Sequence, residues 1–504
     1  MPALLLLGLL AADPYYVRTD GVDSPDRDGR SDQTAFLTLA YACERAPENA
    51  TIVLRGGQHR CTRPAKPKSG QNILGRGFHG ASEGWSRLVA DRPNWERPTE
   101  DEAGQRLAKI GDVRTGEASI VFARKVADVR FAGVKFESPV DASDSARLLA
   151  GGVYLDDCSR TTFDTCRFEN FAFFGIGTFV CDNTTIDRCG FAGCSQEKVR
   201  HRGGQVYTRW TEALTLRHCR LAPAENGGYG YKGGGHTGAQ IHDNTFETAY
   251  FAFESPHENE AGVEIHHNVM RGAISIPKGG DAAPPQKRGF DYSFDIHHNI
   301  LTDSYVIEGP RNYLNVHHNL IRIEKPGGRV YTQFGGDTDG PIWIHHNIME
   351  NVDRSIVWQR EGRTANLFVT HNTIVAADAG RRNGLLFSAW AGDRIDNWVV
   401  RDNVIVHPYS HPRRLLRAER GVAEKIDIAG NVMFLAADVP EGNLAADPDL
   451  RRGDPDDPVA FYSPSRGDGP TVGTATGINW SGDTPQDVGA VQSGQDFGTL
   501  GPRR

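Results

Sequence analysis

A short phrase of alternating apolar and polar residues returns four times between residues 264 and 349. It reads EIHHNVM, DIHHNIL, NVHHNLI and WIHHNIM. Apolar residues at every second position predict β-strands, because successive side chains of a strand point to opposite faces. The asparagine in each phrase is typical of a turn. The pattern therefore predicts pairs of short strands joined at a turn.

The asparagine marks a longer series of repeats along the chain. The repeats are centred on Asn244, Asn268, Asn299, Asn319, Asn347, Asn372, Asn403 and Asn431, with gaps of 24, 31, 20, 28, 25, 31 and 28 residues. Upstream, the same position holds Gly133, Cys166, Cys189 and Cys219. Such units cannot bury an apolar face alone, so we expect them to stack as the coils of a solenoid. We expect each asparagine to adopt the left-handed turn conformation and to hydrogen-bond its neighbours, and each cysteine to be a small buried residue.

The repeat also explains the paired histidines. We expect one histidine of each pair to point out of the coil and the other to point in, each forming a row with its equivalents on neighbouring coils. Strands of a sheet lie about 4.8 Å apart, so the rings of a row would stack in parallel. A zinc site needs three or four ligands that converge on one point, which parallel rows do not provide. The histidines are therefore predicted to be structural.

Over residues 120–435 this pattern resembles the right-handed parallel β-helix of the pectate-lyase-like superfamily. The resemblance implies an all-β solenoid with a short N-terminal helical cap, and Phe36, Leu39, Ala40 and Cys43 have helical spacing after Ser31 and Asp32. We expect a cap and charged insertion over residues 13–118, the β-helix over 119–435 and a closing segment over 436–504. Residues 1–12, MPALLLLGLLAA, resemble a secretory signal peptide, which predicts a secreted or periplasmic protein.

Composition and charge narrow the function classes. Glycine accounts for 57 of 504 residues, above the usual share of about 7%, as expected for many tight turns. The net charge of −8 gives no electrostatic reason to expect nucleic acid as a partner. No membrane span is predicted, because no other segment is long and apolar enough.

The strand after each turn ends in a polar residue, and these residues suggest a site. If the asparagines set the register, one such side chain stands on each coil about 4.8 Å from the next, which predicts a polar groove suited to a polysaccharide. The aligned column is Arg209, Lys232, Glu254, Lys278, Glu308, Gln333 and Gln359, flanked by Tyr207, His257, Glu258, Arg311, Trp358 and Arg360.

Three functions fit this column. In the first, a lyase cleaves a uronate polymer by β-elimination, with Lys232 as the base and with Lys278 and Arg311 binding substrate carboxylates. In the second, Glu254 and Glu308 act as an inverting glycoside hydrolase, because their two-coil separation suits the carboxyl spacing of inversion. In the third, the column is a row of surface ion pairs or a non-catalytic sugar-binding surface. The remaining column residues and their neighbours are predicted to bind the polysaccharide substrate.

The segment GYGYKGGG around Lys232 also resembles the segment that bears the catalytic lysine of family 9 polysaccharide lyases. In those enzymes an aspartate cluster that holds calcium precedes the lysine. Here residues 205–231 contain no aspartate, which puts a calcium-dependent mechanism in doubt. No cofactor is predicted, and although calcium could bind, the sequence shows no recognisable site for it.

Overall fold

A computed structural model describes most of the chain. The described residues are 13–76, 84–90, 113–138, 150–195, 203–223, 228–248, 250–253, 260–276, 284–302, 305–308, 312–324, 329–333, 337–352, 355–359, 362–376, 387–389, 395–406, 416–418, 423–434, 439–448 and 450. They fall into two compact units, one of residues 1–240 and 245–249 and the other of residues 241–244 and 250–504.

The first unit consists of coils whose strands line up in three parallel sheets, called the first, second and third sheet here. The first sheet holds Tyr15–Val17, Thr51–Leu54, Asn72–Leu74, Arg130–Ala132, Thr162–Asp164, Thr185–Asp187 and Thr215–Arg217. The second holds Gly57–Cys61, Ser86–Ala90, Val134–Glu137, Arg167–Glu169, Gly190–Ala192, Arg220–Leu221 and Thr245–Phe246. The third holds Ser119–Arg124, Gly151–Asp156, Phe174–Phe179, Gly204–Arg209 and Tyr229–Gly234. Parallel pairing thus begins well before residue 119.

The second unit repeats the same three-strand coil. Its first sheet holds Val263–His266, Phe294–His297, Leu314–His317, Ile342–His345, Thr364–Thr370, Ile395–Arg401 and Ile426–Ala429. The second holds Val269–Arg271, Ile300–Thr302, Leu320–Arg322, Ile348–Val352, Thr373–Ala376, Val404–Val406 and Val432–Phe434. The third holds Tyr250–Phe253, Ala273–Ser275, Tyr305–Glu308, Arg329–Gln333, Ser355–Gln359, Phe387–Ala389 and Leu416–Ala418. The strand Gln240–His242 contains the division between the units.

Helices are few and short in the described residues. They are Leu39–Arg45, Val113–Glu117 and the 3-10 turns Pro285–Arg288 and Ala423–Lys425. The predicted N-terminal helix is present, but its N-cap is Thr38, whose hydroxyl accepts the Tyr41 amide at 3.2 Å, and neither Ser31 nor Asp32 caps it. The predicted all-β parallel β-helix with a helical cap is confirmed by this arrangement.

The interior of the first unit is built from stacked aromatic rings and cysteines. Phe136, Phe168 and Phe191 stack with centroid separations of 4.8 and 5.0 Å, nearly parallel, one ring per coil. Cys166 and Cys189 are buried at the predicted turn position, and both are free thiols. The predicted position at Gly133 is shifted by one residue, because pairing of the Arg130–Ala132 strand aligns Val134 and not Gly133 with Cys166.

The interior of the second unit contains the predicted asparagine ladder. Each asparagine amide donates to the side-chain oxygen of the next at 2.7–3.0 Å, through Asn244, Asn268, Asn299, Asn319, Asn347, Asn372, Asn403, Asn431 and finally Asn443. The left-handed residue is the one before each asparagine, for example His318 with φ 52°. The expectation that asparagine itself takes this conformation was wrong. The preceding residue turns the chain and leaves the asparagine pointing inward.

The histidines form two parallel rows. His266, His297, His317 and His345 stack at 4.9–5.1 Å, and His267, His298, His318, His346 and His371 stack at 5.0–5.2 Å. The two members of each pair lie side by side, with their Nδ1 atoms 2.8 Å apart. The prediction that one ring points in was wrong, because the inward position belongs to the asparagine that follows.

A carboxylate fixes the tautomer of one pair. His317 Nε2 lies 3.0 Å from Asp295 Oδ1, and an ionised carboxylate only accepts, so His317 carries its proton on Nε2. His317 Nδ1 therefore accepts the proton of His318 Nδ1. The pair thus shares one internal hydrogen bond.

The asparagine ladder makes a testable contribution to stability. Asn319 is fully buried and donates to the carbonyls of Ile296 and His317 and to Asn347. Asn319→Asp replaces this donor by a buried charge, so we expect the free energy of unfolding in urea to fall by about 3–5 kcal/mol. The matched control Asn397→Asp changes an exposed asparagine and should cost less than about 0.5 kcal/mol. Equal losses of unfolding free energy in both variants would contradict a stabilising role of the asparagine ladder.

Candidate functional site on the third sheet

The outer face of the third sheet in the first unit carries three of the predicted site residues. Strand Gly204–Arg209 bears Tyr207 and Arg209, and strand Tyr229–Gly234 bears Lys232. Lys232 pairs with Tyr207, whereas Arg209 pairs with Gly234. The predicted alignment of Arg209 with Lys232 was therefore off by two residues. Two residues apart on a strand means the same face, so the register still brings both cations to one surface.

Lys232 is held between two tyrosine rings. Its Nζ lies 5.4 Å from the ring centroid of Tyr207 and 5.2 Å from that of Tyr229. Lys232 is only 6% exposed, although lysine is rarely buried to this degree. A methyl group on Gly204 would lie 2.8 Å from Lys232 Cβ, so the glycine leaves space for this side chain. Tyrosine rings therefore border the ammonium group, and Gly204 leaves room for the base of the side chain.

An aromatic cluster supports this surface. Phe122, Tyr154 and Phe174 are buried in it, and Tyr207 and Phe179 pack against it while partly exposed. The register explains the cluster, because Phe122, Tyr154, Gly177 and Tyr207 occupy equivalent positions on four consecutive strands. Aromatic residues therefore fix the ring of Tyr207, which in turn borders Lys232.

The next position on the same face, two residues along these strands, holds three charged residues and one aromatic residue. It holds Arg124, Asp156, Phe179 and Arg209 on consecutive coils. Arg124 Nε lies 2.9 Å from Asp156 Oδ2, and burial raises the pKa of the Asp156 carboxyl above its usual value. The Arg209 guanidinium carbon lies 5.0 Å from the ring centroid of Trp210.

Behind Lys232, the interior contains a hydrogen-bonded triad. The Tyr231 hydroxyl lies 2.6 Å from His236 Nε2 and 2.8 Å from the Thr208 hydroxyl, and Thr208 lies 2.9 Å from His236 Nε2. All three side chains are buried, and burial lowers the pKa of His236 to about 3, so its ring is neutral. The triad joins the two strands that carry Tyr207 and Lys232 and so supports their relative position.

The predicted residues of the second unit occupy two different positions of its third sheet. Glu308 pairs with Ser275 and Thr332, whereas Gln333 pairs with Gln359, so these residues do not form the single column expected. Gln359 is buried and its amide donates to the Gly362 carbonyl at 2.8 Å. Trp358 is partly exposed and pairs with Thr332.

The other predicted site residues lie outside the described residues. They are Glu254, His257, Glu258, Lys278, Arg311 and Arg360. Of the residues that the structure brings to the Lys232 surface, the sequence alignment missed Tyr229 and Trp210. Tyr229 lies three residues before Lys232 in the phrase GYGYKGGG, and Trp210 directly follows Arg209, so both were visible as aromatic neighbours of the two cations.

Two properties of the described part of the chain concern metal binding and membranes. There, no three or more histidine, cysteine, aspartate or glutamate side chains come together in a way that could hold a metal ion. No helix within the same ranges has the length and apolar character needed to cross a bilayer.

Comparison with known proteins supports the fold. Residues 120–281 match the family described as right handed beta helix region, which agrees with the parallel three-sheet coils and makes them a right-handed β-helix. A comparison with curated protein sequences finds no significant match.

A comparison with solved structures finds several similar chains. The alginate lyase AlyGC of the PL6 family is 12% identical, with 85% of this chain and 56% of that chain covered and a TM-score of 0.42. The tailspike protein of E. coli bacteriophage HK620 in complex with pentasaccharide is 10% identical, with 80% of this chain and 77% of that chain covered and a TM-score of 0.43. The exopolygalacturonase of Thermotoga maritima is 9% identical, with 71% and 79% covered and a TM-score of 0.33. This chain thus spans little more than half of the alginate lyase. Similarity at this level transfers no activity.

Proposed function

We propose that the protein is a polysaccharide lyase that cleaves an acidic, uronate-containing chain by β-elimination on the outer face of the third sheet. The observation that carries the proposal is Lys232, a nearly buried lysine on an outer face, bordered by two tyrosine rings. We further propose that the protein acts outside the cytoplasm, because residues 1–12 resemble a secretory leader.

The residues of this surface account for each step of the elimination. Lys232 acts as the general base and takes the proton from the carbon beside the uronate carboxylate. The released electron pair forms a carbon–carbon double bond as the bond to the glycosidic oxygen breaks. The leaving oxygen takes a proton from a tyrosine hydroxyl, for which Tyr207 and Tyr229 are the candidates. Proton exchange with water then restores both side chains.

Positive charge serves the same reaction. Removing a proton next to a carboxylate builds up negative charge on that group, which a guanidinium can stabilise by paired hydrogen bonds. Arg209 lies on the same face as Tyr207, two residues along the strand, or about 6.6 Å at the usual rise. Arg209 is therefore proposed to bind the carboxylate of the substrate.

The test is to incubate the purified protein with a panel of acidic and neutral polysaccharides. Absorbance of unsaturated uronates and the number of new reducing ends would be followed together. A lyase raises both signals on a uronate polymer. New reducing ends without ultraviolet absorbance would identify a hydrolase. Glu308 and Glu254 would then be the candidate catalytic carboxylates. No product from any polymer of the panel would contradict an enzymatic role.

A further inference from the structure

An exposed aromatic residue lies next to the proposed active surface. Trp210 is 44% exposed, and Val180 is 45% exposed, which places them among the few large hydrophobic side chains of the described residues with this much contact with water. The Val180 amide donates to the Arg209 carbonyl at 3.0 Å, so the two residues stand on neighbouring coils. Exposed apolar neighbours of this kind are typical of binding sites.

The backbone conformation at Val180 and Trp210 makes valine and tryptophan unusual residues for these positions. The equivalent turn residue on consecutive coils is Lys125, Asp157, Val180, Trp210 and Gly235, and each has a positive φ between 48° and 73°. Positive φ is unfavourable for β-branched and bulky residues and suits glycine or aspartate. Valine and tryptophan therefore carry a conformational cost here in addition to exposing apolar surface. A contact made only in a complex would offset both costs.

The indole of Trp210 has a fixed orientation. Its ring meets the Phe179 ring edge to face at 5.1 Å. On the other side, a methyl group at Gly235 would come within 2.3 Å of Trp210 Cδ1, so the glycine makes room for the indole against the next coil. A rigid, preorganised ring binds a ligand without the loss of side-chain freedom that a mobile ring would incur.

The patch continues the surface that holds Lys232. Arg209 lies between Trp210 and Tyr207, and Tyr207 borders Lys232. Cations and aromatic rings thus alternate along one face in the order Lys232, Tyr207, Arg209, Trp210. A sugar ring presents an apolar face of C–H groups and an equatorial edge of polar groups, so an acidic sugar chain matches such an alternation.

We infer that Trp210, with Phe179 and Val180, forms a subsite that binds the apolar face of a sugar ring in the same chain whose acidic unit lies at Lys232. The inference rests on the proposed function for the class of ligand, an acidic oligosaccharide. Arg209 would bind the carboxylate between the two positions. Trp210 binds and orients the chain, and takes no part in the proton transfers.

Binding measured without turnover tests the subsite. Calorimetry and tryptophan fluorescence would be recorded with oligogalacturonate and oligoalginate as probes, in a Lys232→Ala background that cannot cleave them. Adding Trp210→Ala should weaken binding about 10-fold, which corresponds to about 1.4 kcal/mol. Trp210→Phe should recover part of the affinity while abolishing most of the fluorescence change. The control Leu37→Ala, at another exposed apolar residue of the first unit, should leave binding unchanged.

Turnover separates this inference from the proposed function. In the active protein, Trp210→Ala should raise KM about 10-fold and change kcat by much less. Cleavage with a KM and affinity independent of Trp210 would overturn the subsite and leave the lyase intact. Trp210-dependent binding without any product would keep the subsite and overturn the lyase. A lowered melting temperature with unchanged affinity would show that Trp210 only braces Phe179 and Gly235, and absence of binding to both probes would overturn both proposals.

Discussion

Lys232→Ala is expected to lower kcat on the uronate polymer by about 100- to 10,000-fold, the range that a positioned general base contributes. The loss should be chemical and not structural. Lys232 lies on the outer face, and the interior next to it is held by Tyr231, His236 and Thr208, which the substitution leaves in place. The melting temperature and the circular dichroism spectrum should therefore stay close to those of the unmodified protein.

Lys232→Arg distinguishes a base from a binding group. Arginine keeps the positive charge but does not lose its proton near neutral pH, so it can bind a carboxylate and cannot act as the base. We expect KM to change little and kcat to fall almost as far as in the alanine variant. Lys287→Ala, at an exposed lysine of the second unit, is the matched control and should retain full activity. Full activity of Lys232→Arg would show that Lys232 contributes only charge.

Acid is expected to unfold the second unit through its histidine rows. Burial lowers the pKa of His297 to about 3, of His318 to about 2, of His346 to about 3 and of His371 to about 4. In the unfolded chain these rings titrate near 6.5. Between about pH 6.5 and the folded-state pKa values, these histidines bind protons in the unfolded state but not in the folded state. The stabilisation is therefore complete above about pH 6.5 and falls as the pH drops towards the folded-state values.

The size of this effect follows from the number of protons. Each histidine that protonates only on unfolding contributes about 1.4 kcal/mol per pH unit. Four such rings imply a loss of roughly 4–6 kcal/mol between pH 6 and pH 5. Urea unfolding followed at a series of pH values, with a probe that reports on the second unit, measures the slope directly.

The variant His318→Asn tests whether the histidine rows cause the pH dependence of stability. His318→Asn keeps a residue that tolerates the positive φ of 52° at this position and removes one titrating ring. Its stability should depend less steeply on pH below 6.5 than that of the unmodified protein, and the two slopes should agree above pH 7.5. A stability that does not change from pH 7 to pH 5 in the unmodified protein would contradict the neutral, stacked arrangement.

The sequence was sufficient for the fold because the repeated residues themselves form the interior contacts. Asn268 and Asn299 bond directly to one another, so their spacing in the sequence is the spacing of the coils. The same reasoning failed for the histidines, because adjacent residues in a strand were assumed to alternate faces. His267 and its equivalents have a positive φ, and this turn brings the two rings of a pair side by side, away from the inward position of the asparagine.

The site was predictable only in part for a related reason. No ladder residue marks the third sheet, so the alignment relied on where each polar residue preceded a glycine or proline. That rule placed Arg209 beside Lys232, whereas the strands pair Tyr207 with Lys232. The segment GYGYKGGG pointed to Lys232, whose ammonium group the structure places near the rings of Tyr207 and Tyr229. Trp210 was missed because a single exposed tryptophan in a turn belongs to no repeating pattern in the sequence.

The most direct measurement of the central claim is the origin of the oxygen at the cleavage point. The protein would cleave a uronate polymer in water enriched in heavy oxygen, and the products would be weighed by mass spectrometry. β-Elimination through Lys232 predicts products whose summed mass equals that of the substrate, with an unsaturated end and no solvent oxygen. Products heavier by one molecule of labelled water would show hydrolysis and would contradict the lyase mechanism.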